Sequence, residues 1–344
     1  MRISFIIPSR NNLVYLQQCV NSIIDCYGTQ HDIVLLDDAS TDGTWEWINS
    51  LEGDNIIKYR NNGPDRVGHT ILYDVGVSLS KTEVFTIFHA DMITTKNHIP
   101  NSLKHLTKKT VVAATRIEPP LHPPGPEKFV KNFGLEPDTF MVKEFNDFCK
   151  EIETNDKDKV SKGIFAPWLM YKEDFENING HDPLFAPMEL EDSDIFNRMH
   201  IAGYNLIQSR DALVYHMTCR GSRFKDGIQI ETVIDLPDGT KWYKPKDSQE
   251  YITLRQQKFR EWWRKWGCDV LHDENMYPIV PNRYHKTAVI KNCTTQVLSI
   301  LEPWFDNLIV DCEVDTYIKL ESPNTHYIIS DKFNPPEEEQ NIII

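Results

Sequence analysis

The chain has 344 residues, 40% of them hydrophobic and 26% charged, and a formal net charge of −14. That length buries a sizeable core as one large domain with an appendage, or as two domains. The acidic balance excludes a broad nucleic-acid-binding face, which needs a basic surface, and leaves room for a local nucleotide site.

Seven cysteines without a C-x-x-C pair read as scattered thiols of a reducing compartment, not as a disulfide framework or zinc site. Strand-like sequence begins at Ile3 and no apolar run reaches membrane-spanning length. The expectation is a cytoplasmic protein with no signal peptide and no transmembrane segment.

In chain order, Ile3 to Pro8 has the apolar, β-branched character of a buried parallel strand. A helix follows, with Asn11 or Asn12 as N-cap, an apolar stripe from Leu13 to Ile24, and Tyr27-Gly28 as its end. Asp32 to Leu36 is a second strand, closed by Asp37-Asp38-Ala39-Ser40-Thr41-Asp42-Gly43-Thr44, which opens the helix carrying Trp45, Trp47, Ile48 and Leu51. Ile56 to Tyr59 is a third strand, Thr70 to Leu79 a helix, and Glu83 to Phe88 a fourth strand that stops at His89-Ala90-Asp91. Such alternation predicts an α/β protein with a doubly wound, mostly parallel sheet.

Polar clusters then fall at three carboxyl strand ends: Ser9 and Arg10, Asp37 and Asp38, His89 and Asp91. That edge is where open α/β sheets hold ligands. Residues two apart on an extended backbone share a face, so His89 and Asp91 point the same way, although Asp91 also suits a helix cap. Neither G-x-G-x-x-G nor a P-loop is present. A nucleotide here would therefore be held by side-chain carboxylates and a metal.

The run Ile6-Ile7-Pro8-Ser9-Arg10-Asn11, the stretch Val34 to Thr44 and the strand ending His89-Ala90-Asp91 resemble the family 2 glycosyltransferases. That resemblance implies the GT-A fold and a nucleotide-sugar donor. It implies that Asp38 contacts the base, that Pro8 and Ser9 wall the nucleoside, and that Asp91 ligates a divalent metal on the donor diphosphate. Arg10, Asp37, His89 and Ala90 line the same donor crevice. Two departures stand out: His89 occupies the first position of the family's D-x-D, and Tyr73-Asp74-Val75-Gly76 stands where Arg-Asn-x-Gly is frequent.

Further on, Lys109 to Arg116 reads as a strand and the prolines from Pro119 to Pro126 as a stiff excursion. Phe129, Phe133, Phe140, Phe145 and Phe148 form either an acceptor-facing wall or, the weightier reading, the core under an insertion. Lys150 to Lys162 reads as a charged, mobile segment, and Ala166 to Tyr171 as a strand. Glu189, Glu191, Asp192 and Asp194 open a helix that ends at Gly203. Capping accounts for one or two of these acids. Glu191-Asp192 resembles the family's acceptor motif, in which Asp192 would be the catalytic base and Glu191 its helper.

Asn205 to Tyr215 is a strand delivering His216. The resemblance makes His216 a second metal ligand beside Asp91, for Mn²⁺ or Mg²⁺, with Arg220 and Arg223 on the departing diphosphate. Beyond Phe224 the resemblance thins. Residues 235–240 form a turn between short strands, and Ser248 to Gly267 a helix whose aromatic stripe reads as a packing face.

The expected organisation is a catalytic domain over 1–225, split near residue 115 into donor and acceptor halves, then an extension over 226–280. A small α/β unit of unassigned role over 281–332 and an acidic tail over 333–344 complete it. The expected function is metal-dependent, inverting transfer of a sugar from a nucleoside diphosphate sugar, UDP first and GDP second, to a glycan or glycoconjugate hydroxyl. The rivals are a GT-A module that binds without transferring and a sugar nucleotidylyltransferase. The second wants a Gly-rich loop that residues 8–16 lack.

Overall fold

The computed structural model describes residues 1–218, 228–237, 239–283, 285–321, 328–330 and 341–343. Two compact units emerge: Met1–Ile252 with His272–Ile279, and Thr253–Leu271 with Val280–Ile344.

The first unit is built on β1 (Ser4–Ser9), α1 (Leu13–Tyr27), β2 (Asp32–Asp38), α2 (Thr44–Ser50), β3 (Ile56–Asn61), α3 (His69–Leu79) and β4 (Val84–Ile87). Next come β5 (Met92–Thr94), α4 (His98–Leu103), β6 (Thr110–Glu118), β7 (Lys128–Val130), α5 (Val142–Asn155) and β8 (Val160–Lys162). The unit continues with β9 (Trp168–Tyr171), α6 (Lys172–Asn177), α7 (Glu191–Ile201), β10 (Asn205–His216), β11 (Ile230–Asp235) and β12 (Lys241–Pro245).

The main sheet runs β3-β2-β1-β4-β9-β6-β10-β5, with β7 beside β6 and β8 beside β10. Strands β3, β2, β1 and β4 are mutually parallel, as are β6 and β10, while β9 runs antiparallel between β4 and β6. The doubly wound, mostly parallel sheet is therefore the one the alternating sequence predicts. Strands buried on both faces explain the unbroken apolar runs: Phe5, Ile6, Ile7 and Ile33 to Leu36 are fully buried. Each such side chain contributes about 1.5–3 kcal/mol of transfer free energy. Gly76 lets α3 press onto the sheet, since a Cβ there would lie 2.3 Å from Ile6 Cγ2.

Some expectations change locally. Asn12 makes no capping side-chain bond at α1. Instead Asp42 accepts from the Leu13 amide through one carboxylate oxygen and from the Thr44 amide through the other. One acid thus serves two helix starts.

The phenylalanines form a core and no wall: Phe133 and Phe145 are buried with Tyr215 and Leu213, and Phe129, Phe140 and Phe148 pack on them. Much of the charged stretch from Lys150 is ordered helix α5, with Phe145, Cys149 and Ile152 on its buried stripe. The turn expected over 235–240 joins the antiparallel pair β11 and β12.

The second unit takes in α8 (Gln249–Trp266) from Thr253 onward, then β13 (Thr287–Ile290), α9 (Thr295–Leu301), β14 (Asn307–Val310), α10 (Asp315–Glu321), β15 (Ile328–Ser330) and β16 (Asn341–Ile343). Its parallel sheet runs β15-β14-β13-β16. Its core holds Ala288, Ile290, Leu298, Leu308 and Val310. Beside that core Arg264 is 2% exposed and binds Glu302 and Glu261, themselves 0% and 1% exposed.

Candidate donor and acceptor site

Strand register assembles the first half of the site. Parallel pairing sets Ser9 opposite Asp37 and Asp38 opposite Asn61, all at one carboxyl edge. Ser9 is buried, and its hydroxyl makes no hydrogen bond among the described residues. An orphaned buried hydroxyl at a sheet edge suits a ligand partner. Asp37 is fully buried, accepts from the Ser40 amide and lies 3.5 Å from Arg60, and burial raises its pKa.

Asp38 is already engaged: one oxygen accepts from the Asn61 amide group and the Val67 N–H, the other from the Gly68 N–H. Its carboxylate therefore ties down the loop from β3 to α3. The Arg10 guanidinium donates to the Asp38 carbonyl. Pro8 lies in β1 next to Ser9, and Ala90, buried, lies between His89 and Asp91.

Antiparallel pairing of β10 with β5 sets His216 opposite Met92 and so brings it to the end of β4. His89, Asp91 and His216 each offer a ligand atom, and these atoms lie within 4.8 Å of one another. His216 Nε2 is 3.3 Å from Asp91 Oδ1 and 3.4 Å from His89 Nδ1. The other ring nitrogen of His216 meets Glu118 Oε1 at 2.8 Å, because β6 runs beside β10.

Burial, then the neighbouring His216 charge, pushes His89 down to about 3, which leaves it neutral. Burial would also lower His216, but Asp91 and Glu118 outweigh it and push it up to about 9. A position that stabilises an imidazolium between two carboxylates also suits a metal cation. Two imidazole nitrogens and one carboxylate oxygen, with a carboxylate orienting one ring from behind, fit a divalent ion.

The second half is the start of α7. Glu189 and Leu190 both have positive φ, 84° and 67°, so two consecutive non-glycine residues are left-handed just before Glu191 and Asp192. Such strain costs on the order of 1–3 kcal/mol per residue and marks sites that aim side chains. Glu191 Oε1 lies 2.7 Å from His69 Nε2, while its Oε2 is buried with no hydrogen bond among the described residues. Asp192 accepts from the Ser193 amide at 2.6 Å. Burial, and then the Glu191 charge, pushes the Asp192 carboxyl up to about 7.

Both halves act on Tyr73: burial first, then the charges of Glu191, Asp91 and Asp192, raise its phenol well above the usual range. The metal-type cluster and the acidic pair therefore share one electrostatic neighbourhood. Arg220 and Arg223 lie outside the described residues.

The sequence pattern of glycosyl transferase family 2 matches residues 4–178, which contain β1 to β9 and the first half of this crevice apart from His216. The chain belongs to glycosyl transferase family 2. Glycosyltransferase GlyG of Streptococcus pneumoniae serotype 4 is 29% identical to it over 108 residues, 31% of this family 2 chain and 36% of that protein.

Solved structures of similar fold each overlap 63% of the chain. One is GalNAc-T7 with UDP, GalNAc and Mn²⁺ (TM-score 0.48, 16% identity, 44% of that chain). Another is TarS of S. aureus (0.44, 13%, 60%). A third is the mannosyltransferase PcManGT from Pyrobaculum calidifontis with GDP-Man and Mn²⁺ (0.44, 16%, 57%). The chain spans less than two thirds of each of these proteins. Among the described residues no helix is long and apolar enough to cross a membrane.

Two site residues escape a reading of this family 2 sequence. His69 opens α3, and its partner is 122 positions away. Glu118 begins the proline-rich stretch, and its partner is 98 positions away. The only local sign of Glu118 is a carboxylate at a buried strand end.

Proposed function

We propose that this family 2 chain is a metal-dependent, inverting glycosyltransferase that moves a hexose from a nucleoside diphosphate sugar to a hydroxyl of a glycan or glycoconjugate. The observation that carries the reading is the grouping of His89, Asp91 and His216 at one strand edge, in a neighbourhood shared with a carboxyl poised near neutrality. Asp91 and His216, with His89 beside them, would hold Mn²⁺ or Mg²⁺. The bound ion supplies Lewis-acid stabilisation of charge on the leaving diphosphate.

The chain's own groups do the rest. Pro8 and Ser9 wall the nucleoside, and Asp38 fixes the loop behind it through the Val67 and Gly68 amides. Asp37, Arg10 and Ala90 complete the donor crevice, with Arg220 and Arg223 assigned to the diphosphate. Asp192, ionised above about pH 7, accepts the proton of the attacking hydroxyl, and Glu191 holds its environment anionic. UDP is the first donor base to test and GDP the second. A cytoplasmic setting, read from the scattered thiols, belongs to the same proposal.

The test is titration calorimetry of UDP and GDP with and without Mn²⁺, followed by donor hydrolysis and transfer. Asp91→Ala is expected to lose the Mn²⁺-dependent part of nucleotide affinity. Unchanged affinity in that variant removes the metal assignment. Tight nucleotide binding without hydrolysis or transfer from any donor leaves a binding module instead.

A further inference from the structure

The acidic pair at the start of α7 has a partner that belongs to another element. His69 is the first residue of α3, and its Nε2 lies 2.7 Å from Glu191 Oε1. Its position is built: the Gly68 N–H is anchored on Asp38, and Gly68 sits so close to Pro187 that a Cβ there would fall 2.0 Å from the Pro187 carbonyl oxygen. The His69 ring also packs against Tyr73, centroids 5.5 Å apart. The Gly68 contacts fix the start of α3, and the bond to Glu191 directs the ring at α7.

We propose that His69 is a positioning residue for the Glu191–Asp192 pair: its imidazolium keeps Glu191 ionised, so that the proton shared by the two carboxyl groups resides on Asp192, the one that must later act as base. This rests on the reading of Asp192 as the acceptor's base. Among the described residues, the charged and titratable groups around the pair and His69 are Glu189 beside Asp192, His181 near Glu191, Arg66 and His89 near His69, and Tyr73 near both carboxylates.

The bookkeeping of protons follows from that arrangement. Burial alone would raise Glu191, and the charge and hydrogen bond of His69 outweigh it and hold it below the usual carboxylate range. Burial alone would lower His69, and Glu191 outweighs that in turn. Among the described residues, Asp192 feels the His69 charge less than its other neighbours and bears first burial and then the Glu191 charge. Without the imidazolium, the last proton must leave a doubly acidic pair that lacks its counter-charge. The pair then binds that proton more tightly, and the acid limb of the rate profile moves to higher pH.

The experiment compares His69→Ala and His69→Gln in the full chain. The glutamine keeps a hydrogen-bond donor for Glu191 and removes the charge. Carboxyl-carbon NMR follows the titration of Glu191 and Asp192, with each signal assigned by its loss in Glu191→Gln and Asp192→Asn. Both His69 variants are expected to raise the upper titration of the pair by about one pH unit, and to move the acid limb of kcat by the same amount while leaving the donor KM unchanged.

A pair titration identical to wild type in either folded variant overturns the inference. A wild-type profile in His69→Gln beside a shifted His69→Ala also overturns it, because the hydrogen bond alone would then suffice. If the titration moves and no donor supports transfer, the pairing stands and the catalytic reading of Asp192 falls.

Discussion

Asp192 lies where burial and the adjacent Glu191 charge push its carboxyl in the same direction, up to about 7. As the proposed base it works only when ionised, so turnover should fall as pH drops through about 7. Asp192→Asn keeps the acceptor for the Ser193 amide and loses the base. Turnover is expected to fall about 10²–10⁴-fold, with calorimetric nucleotide and Mn²⁺ affinity unchanged.

Stability moves the other way. The folded chain binds this proton more tightly than the unfolded one, so the group's contribution is full below the unfolded value of 3.8 and lost as pH rises through about 7. The amide variant should therefore melt above wild type at pH 8 and level with it near pH 4. A melting-temperature series across that range checks the sign.

Glu118 makes a complementary case. Burial would raise it, but Arg116, His216 and Lys128 hold it well below the usual range, so it remains a charged acceptor behind His216. Glu118→Gln is expected to weaken Mn²⁺ binding about 10–100-fold, read by calorimetry. Nucleotide affinity without metal should be unchanged.

At the scale of elements, the loop from β3 to α3 depends on Asp38 and Gly68. Gly68 has φ of 86°, and a Cβ would meet Pro187 backbone atoms at 2.0 and 2.2 Å. Gly68→Ala therefore combines an extended, positive-φ backbone that essentially only glycine adopts (ψ 162°), on the order of 1–3 kcal/mol, with an overlap that only backbone movement relieves. The expected result is a lower denaturation midpoint together with loss of the His69 contact to Glu191. A variant crystal structure with His69 in place would contradict it.

The strands β1 to β4 and their helices were legible because buried parallel strands have unbroken apolar runs and their helices a single apolar stripe. Helix α5 was harder: Phe145, Cys149 and Ile152 keep helical spacing, but Lys150, Glu151 and Glu153 to Lys162 outweigh them in composition. At the site, His89 and Asp91 were singled out by strand alternation and by the family resemblance, although β4 ends at Ile87 and a turn closed by the Met92 N–H on the His89 carbonyl joins the two. His69 and Glu118 were not, because their function depends on which strands become neighbours, and β9 entering between β4 and β6 leaves no mark near either residue.

For the whole molecule, the two units rest on different kinds of support. The first has a broad apolar core. The second has a smaller one beside the buried charges of Arg264, Glu261 and Glu302. Removing one partner of such a group strands the others without solvent, at a cost of about 3–5 kcal/mol. Arg264→Ala is expected to abolish protease resistance over 285–321 while metal and nucleotide binding persist. Loss of both together would mean that the units do not unfold separately.

The division of the chain has a consequence for its synthesis. Residues 253–271 belong to the second unit, yet 272–279 return to the first before the second resumes at Val280. Within the first unit, Tyr277 packs its ring against His200 and lies under Lys162. A ribosome emitting about 5–20 residues per second therefore releases a piece of the second unit before the first has received its last strip. The nascent first unit waits on residue 279, and a stop or slow codon run placed at residue 252 would leave it unfinished.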